Sequence, residues 1–301
     1  MRFTVTTVAA PVSRNAVSAA LALSFALSSV PAVLAAEGVY TSIDYPGAIL
    51  TVGRGISPEG VIVGWYRATD HSAHGYILQN GVFSAINFPG ASATTTDGGP
   101  NPNGDVVGNY VDGNGVPHGY RLSGGVFTTI DFPGAAFTQA ARDINARGDI
   151  VGWYFDSAGN SHGFVLSGST YTSIDVPVPG ATNTQAGGID AEGDIVGGYD
   201  DVNGKSHGFL LRQGNFATID APNAGPIGTF AWGINAPGTV VGSYFDSLGV
   251  RQAFSLTGGV FQTLVVPGSR TGWAFGINPQ GDIVGQYTDA HGTHGFLFTA
   301  Q

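Results

Sequence analysis

The sequence predicts an all-β fold: a six-bladed β-propeller of four-stranded antiparallel blades, its ring closed by the N-terminal strand pairing into the last blade. Three observations lead there. First, one unit of about 44 residues repeats six times between Gly38 and Gln301. The triplet His-Gly-aromatic stands at His74, His118, His162, His207 and His294, with Gln252-Ala253-Phe254 in the remaining unit, at spacings of 44, 44, 45, 45 and 42. Second, each unit holds four short apolar segments separated by turn residues, and four-strand units of 40–50 residues mark propeller blades. Third, the repeat begins with a last-strand segment, "GVYTSID" from Gly38, and stops after a third-strand segment, "HGFLFTA" from His294. The first completes the blade that the second leaves open, which hides two sheet edges. An open solenoid is the structural alternative, but it wants capping units and none is visible.

Taken in chain order, the first 36 residues stand apart. "MRFTVTTVAAPVSRNAVSAALALSFALSSVPAVLAA" has a basic start, an apolar middle and a small-residue end. That is the pattern of a signal peptide, residues 1–36, and it predicts a secreted protein, extracellular, periplasmic or at the cell surface. The alternative is an uncleaved anchor, although Ser24, Ser28, Ser29 and Pro31 interrupt the apolar run. No membrane span is expected after signal removal. Residues 37–301 then form a single propeller, with blades over about 49–92, 93–136, 137–181, 182–225, 226–268 and 269–301 plus 38–47.

The third unit shows why each strand forms. Its segments "TQAARDIN", "DIVGWYF", "HGFVL" and "TYTSIDV" are joined by "NARG", "DSAGN" and "SGS", clusters of hairpin length. A turn of the "PGA" type leads to the next unit. The Ile-Val pair of the second strand fits a strand covered on both faces.

Composition narrows the function. With 21 acidic against 11 basic residues, the net charge is −10, which repels phosphate backbones and argues against nucleic-acid partners. With no cysteine there are no disulfides, thiolate metal sites or cysteine nucleophile. No cofactor or metal is expected.

The motif carried by "DINARGDIVGWYFDSAGNSHGF", with "TTIDFPGA" before it, resembles the HAF-repeat family of probable extracellular repeat proteins. The resemblance covers the whole repeat region, with His-Gly-Phe or His-Gly-Tyr in place of His-Ala-Phe. It implies export and a repeat fold. It implies no reaction, no ligand and no catalytic residue.

Residues that recur in most blades serve what each blade needs. These are His74, His118, His162, His207 and His294; Tyr66, Tyr110, Tyr154, Tyr199, Tyr244 and Tyr287; and Asp44, Asp131, Asp175 and Asp220. They read as a within-blade hydrogen-bond network. A shared metal site would need them to converge, and copies in a ring diverge. The Asp of each "DxxG" segment reads as a turn residue rather than a calcium ligand.

Function belongs to positions where the blades disagree. Aligned on the G-I-N element (Gly55, Gly99, Asp143, Gly188, Gly233, Gly276), the residue one before is Arg54, Gly98, Arg142, Gly187, Trp232 or Phe275. Three before stand Val52, Thr96, Ala140, Gln185, Phe230 and Trp273. Inside V-G-x-Y stand Trp65, Asn109, Trp153, Gly198, Ser243 and Gln286. With the G-I-N strand taken as innermost, these positions approach the face that carries the "PGA" turns. They nominate Arg54, Trp65, Asp97, Asn109, Arg142, Trp153, Gln185, Phe230, Trp232, Trp273, Phe275 and Gln286 as ligand contacts. Flat aromatics with amides suit sugars, and two arginines suit a carboxylate. Ordinary packing of the tryptophans between blades is the other reading. The expectation is a binding module for a glycan, another surface polymer or a protein partner. The alternative is a carbohydrate-active hydrolase or lyase at the axis, which needs a pair of carboxylates. Asp97 is the only acid found at these positions.

Overall fold

The computed structural model describes residues 34–36 and 38–300. The expected signal peptide lies outside the described residues over 1–33. Its last residues are described: Leu34–Ala35 pairs in parallel with Gln262 and Thr263 on the outer strand of the fifth blade, and the Ala36 amide donates to the Thr263 carbonyl at 3.0 Å. Among the described residues no helix is long and apolar enough to cross a membrane.

The described residues form a six-bladed β-propeller. The first blade runs inner to outer as Leu50–Ile56, Ile62–Arg67, Ala73–Gln79 and Val82–Ile86. The next four repeat this order, with inner strands Ala93–Gly98, Phe137–Ile144, Thr182–Ile189 and Thr229–Ile234. The sixth blade has Thr271–Ile277, Ile283–Thr288 and Thr293–Ala300, and its outer strand is Gly38–Ile43 from the other end of the chain. That strand is antiparallel to the third, from Gly38 opposite Ala300 to Ile43 opposite Gly295.

The second strand shows why the Ile-Val pair recurs. Side chains alternate across a strand, and here both faces are covered by a neighbouring blade. Ile62 joins Ile43, Ile56, Tyr76 and Val284 between blades six and one, whereas Val63 joins Ile86, Val106 and Tyr120 between blades one and two. Corresponding clusters fill the other four interfaces. The glycine after the pair has a steric cause. A methyl at Gly152 would overlap the Ala140 carbonyl and the ring of Phe164, the aromatic of His-Gly-aromatic. The ring occupies the volume that the glycine leaves.

The recurring polar residues tie strands within a blade. His118, His162, His207 and His294 set Nδ1 against Asp131, Asp175, Asp220 and Asp44 at 3.0, 2.7, 2.9 and 2.7 Å. His74 meets Asn87 instead, at 2.6 Å. The Tyr154 hydroxyl bonds Ser173 at 3.1 Å, with like pairs at Tyr110, Tyr199, Tyr244 and Tyr287, while Tyr66 stacks on Tyr45 at 3.6 Å. Each "DxxG" Asp caps its own loop: Asp156 Oδ1 accepts the amides of Ala158 and Asn160, both at 2.9 Å. Burial lowers the His162 pKa, but hydrogen bonds to Asp175 and Asp156 outweigh it and the net shift is upward.

Between blades, the turns after the inner strands link in a chain. Asn101 Nδ2 donates to the Asn145 carbonyl (3.3 Å), Asn145 to Asp190 (3.1 Å), Asn235 to Asn278 (2.9 Å) and Asn278 to Ser57 (3.4 Å). The chain breaks where Asp190 and Ser57 lack an amide. Asp190→Asn supplies the donor toward the fifth blade. It also removes a carboxyl whose pKa is raised by burial and by Asp194 and Glu192. Thermal melting at neutral pH is expected to show a gain of about 1 kcal/mol; an unchanged or lower midpoint would mean the link does not form.

Candidate functional site: a ring of bulged residues around the axis

The inner strand pairs with the second strand through a register slip in every blade. The slips fall between Gly53 and Gly55, Thr96 and Gly98, Ala141 and Asp143, Ala186 and Gly188, Ala231 and Gly233, and Ala274 and Gly276. Each β-bulge leaves one residue unpaired and re-aims its side chain. The bulged residues are Arg54, Asp97, Arg142, Gly187, Trp232 and Phe275. Five of them are variable positions nominated from sequence. The second blade corrects the alignment: one extra residue precedes Asn101, so Gly98, not Gly99, is the counterpart of Gly55. Asp97 therefore takes the bulge and Thr95, not Thr96, stands opposite Asn109.

The bulged side chains meet around the axis. Arg142 Nη1 donates to Asp97 Oδ1 at 2.9 Å, and Arg54 Nε lies 3.5 Å from the same oxygen. The Arg54 guanidinium covers the Phe275 ring at 3.9 Å. Phe275 and Trp232 are 6.1 Å apart, and Arg142 reaches past Gly187 to within 5.4 Å of the Trp232 ring. Asp97 is 5 % exposed and Arg142 7 %. Burial, with the Arg142 charge, pulls the Arg54 pKa down to about 9 against the opposing pull of Asp97, so it stays charged at neutral pH. The Nε groups of Arg54 and Arg142 are buried without a hydrogen-bond partner among the described residues.

A cavity of about 260 Å³ lies on this ring. Ile56, Ile144, Ile189, Ile234 and Ile277 wall it, and the exposed turn residues Pro58, Pro102, Ala146, Ala191, Ala236 and Pro279 form its rim. It opens at the turns that follow the inner strands, the face opposite the "PGA" turns. The face expected from sequence was thus the wrong one for Arg54, Arg142 and Trp232. The cause is their place just before those turns.

Asp143 also lines the cavity and was missed as a site residue. It replaces a glycine that recurs in the other blades, which was the available signal. Burial raises its pKa to about 6, opposed by the amides of Ile189 and Ile144, which donate to it at 3.1 and 2.9 Å. The cavity is therefore lined by three carboxylates, Asp97, Asp143 and Asp190, correcting the count of one.

The remaining nominated residues form a second tier of cross-strand pairs: Val52 with Trp65, Thr95 with Asn109, Ala140 with Trp153, Gln185 with Gly198, Phe230 with Ser243, and Trp273 with Gln286. In three of them Val52, Ala140 or Ser243 is the small partner of a large aromatic. Trp65, Trp153, Gln185, Phe230, Trp273 and Gln286 are half-buried, between the single-platform and core-packing readings. Sequence reasoning also missed Arg251, whose guanidinium lies 4.1, 4.9 and 5.6 Å from the rings of Phe245, Trp273 and Phe230. Burial lowers its pKa to about 10. Its signal was the unit that departs from His-Gly-aromatic, where Arg251 precedes Gln252.

No family model matches the chain, and no curated protein matches it. Solved structures do. One is AofleA from Arthrobotrys oligospora, at a TM-score of 0.55 and 14 % identity, over 89 % of this chain and 91 % of that one. The chain shares its fold with the six-bladed β-propellers. Aleuria aurantia lectin, described as a six-bladed β-propeller with a novel fucose recognition mode, matches at a TM-score of 0.50 and 10 % identity, over 83 % and 91 %. A Trypanosoma rangeli sialidase mutant displaying trans-sialidase activity matches at 0.53 and 8 %, over 88 % and 59 %. A lectin and a sialidase on one fold leave function to the site.

Proposed function

We propose that the protein is an exported glycan-binding module of the HAF-repeat type, with its ligand in the axial cavity. The carrying observation is the bulge ring: recurring backbone geometry delivers non-recurring Arg, Asp, Trp and Phe side chains to one pocket. A small cavity with apolar walls and a few polar groups is the usual build of a ligand site. Likeness to a fucose-recognising lectin supports a saccharide, and the basic then apolar N-terminus supports export. A protein or another surface polymer is the broader class of partner.

The test is a panel of polysaccharides and glycans probed by calorimetry and Trp fluorescence, with product analysis on each hit. Binding without turnover is the expected outcome; no binding across neutral and acidic saccharides would sink the reading. A second reading, a glycoside hydrolase or lyase, is favoured by the raised pKa of Asp143 beside Asp97 in one cavity. It ranks second because both Asp143 oxygens accept backbone amides and Asp97 is held by two arginines and by Thr95 at 2.9 Å.

A further inference from the structure

We infer that the axial cavity selects an acidic monosaccharide unit, a hexuronate, whose carboxylate meets Arg54 and Arg142 and whose ring lies against Trp232. This rests on the glycan-binding reading and deepens it. Three observations carry it.

Hydrogen-bonding capacity comes first. Both guanidinium groups face one carboxylate oxygen, Oδ1 of Asp97: Arg142 bonds it through Nη1 and keeps a buried Nε with no partner among the described residues, while Arg54 approaches it through Nε at 3.5 Å without making a hydrogen bond. Arg142 is more than nine-tenths buried and lines the cavity. Guanidinium groups are matched to planar carboxylates, so unspent donors on two of them favour an acceptor of that shape.

Charge sets the limit. Two arginines stand against Asp97; Asp143 and Asp190 also line the cavity, but their carboxylates face backbone amides, those of Ile144 and Ile189 and those of Gly193 and Asp194. The charge immediately around Asp97 is thus one positive unit in excess, which accommodates a monoanion. A phosphate dianion or a polysulfated chain would leave negative charge buried without a counterion, at high cost.

Size and shape supply the rest. The volume of about 260 Å³ equals the liquid share of roughly nine water molecules. That holds one sugar ring and not a chain. The walls are apolar, and the half-buried Trp232 offers its ring to the C–H side of a pyranose, whereas the Phe275 face is covered by Arg54. A simple carboxylate such as acetate would leave this apolar surface unused.

The probe is D-galacturonate, titrated calorimetrically into the full chain. Its methyl ester, D-galactose, acetate and inorganic phosphate are titrated in parallel. Galacturonate is expected to bind about ten- to hundred-fold more tightly than the ester or galactose, the span of a charge-assisted hydrogen bond. Arg54→Gln should remove most of that preference. Because a change at the ring also alters folding, a rim variant serves as control: Ala236→Trp, at an exposed turn position, leaves Arg54, Asp97 and Arg142 in place and should abolish binding with the melting midpoint unchanged. Equal binding of galactose and galacturonate overturns the carboxylate inference while the glycan reading stands. Polysaccharide binding that survives Ala236→Trp moves the glycan away from the axis and overturns it too. Acetate or phosphate binding as tightly as galacturonate also overturns it, by reducing the site to a bare anion hole.

Discussion

Replacing Asp97 by Asn is expected to cost about 3–5 kcal/mol of folding stability, the penalty for removing one member of a buried ion pair. The shape hardly changes, but the charge does. Arg54 and Arg142 approach the same carboxylate oxygen at 3.5 and 2.9 Å, in a ring where Asp97 is 5 % exposed. Without that charge, two guanidinium groups face each other with little water to screen them. Against a total stability of about 5–15 kcal/mol the loss is large, and a fall in melting temperature of roughly 10 °C should accompany it. The partner variants separate the contributions. Arg142→Met should cost more than Arg54→Met, since Arg142 holds the shorter bond and is the more deeply buried of the two. Asp97→Asn combined with Arg142→Met should recover part of the loss, because the second change removes the charge that the first left unpaired. Denaturant unfolding of the four proteins gives the coupling energy directly. Additive losses would show that Asp97 and Arg142 do not act as a unit.

What the sequence makes legible follows from repetition. A residue present in five or six copies reports a duty of every blade, so strand order, turns and the His, Tyr and Asp contacts can be read without coordinates. Val63 and its counterparts are apolar because each faces a neighbouring blade. The bulge is different. An extra residue in one strand leaves no mark in a sequence whose copies all carry it, so its effect on where Arg54 and Trp232 point was hidden. In the second blade, the doublet Gly98-Gly99 allowed two alignments, and the one anchored on Asn101 missed the insertion. Asp143 was hidden by its neighbours: it stands where glycine recurs, at a close approach of inner strands, and a position read as backbone geometry is not searched for chemistry. The choice of face failed for a related reason. Topology gives the direction of each strand correctly, but only the slipped register shows that the variable residue sits nearer its far end.

Closing the ring covalently should produce the largest gain. Val39 lies opposite Thr299 where the first described strand of the sixth blade meets the last, and both side chains are exposed. Opposed residues of an antiparallel pair are about 4.5–5.5 Å apart at Cα, within the range of a disulfide. Val39→Cys with Thr299→Cys therefore asks for no backbone movement and opens no cavity. The chain has no native cysteine, so no competing bridge can form. The bridge would close nearly the whole propeller into one loop, and the chain-entropy relation then gives roughly 5 kcal/mol of stabilisation. Strain and residual structure in the unfolded chain reduce that figure, so a gain of about 3 kcal/mol already supports the closure. Melting the same protein with and without reductant isolates the bridge from the substitutions. The opposite change gives the opposite sign. Removing Gly38–Ile43 strips the outer strand from the sixth blade, withdraws Ile43 from the cluster with Ile62 and Tyr76, and takes Tyr40 from the rings of Phe296 and Phe298. It also bares the edge of Thr293–Ala300, a template for pairing with another chain. Such a truncation should appear as aggregate rather than as folded monomer in gel filtration. A soluble, cooperatively folding truncation, or an oxidised double-cysteine protein no more stable than its reduced form, would mean that the N-terminal strand is an attachment to the ring and not its closure.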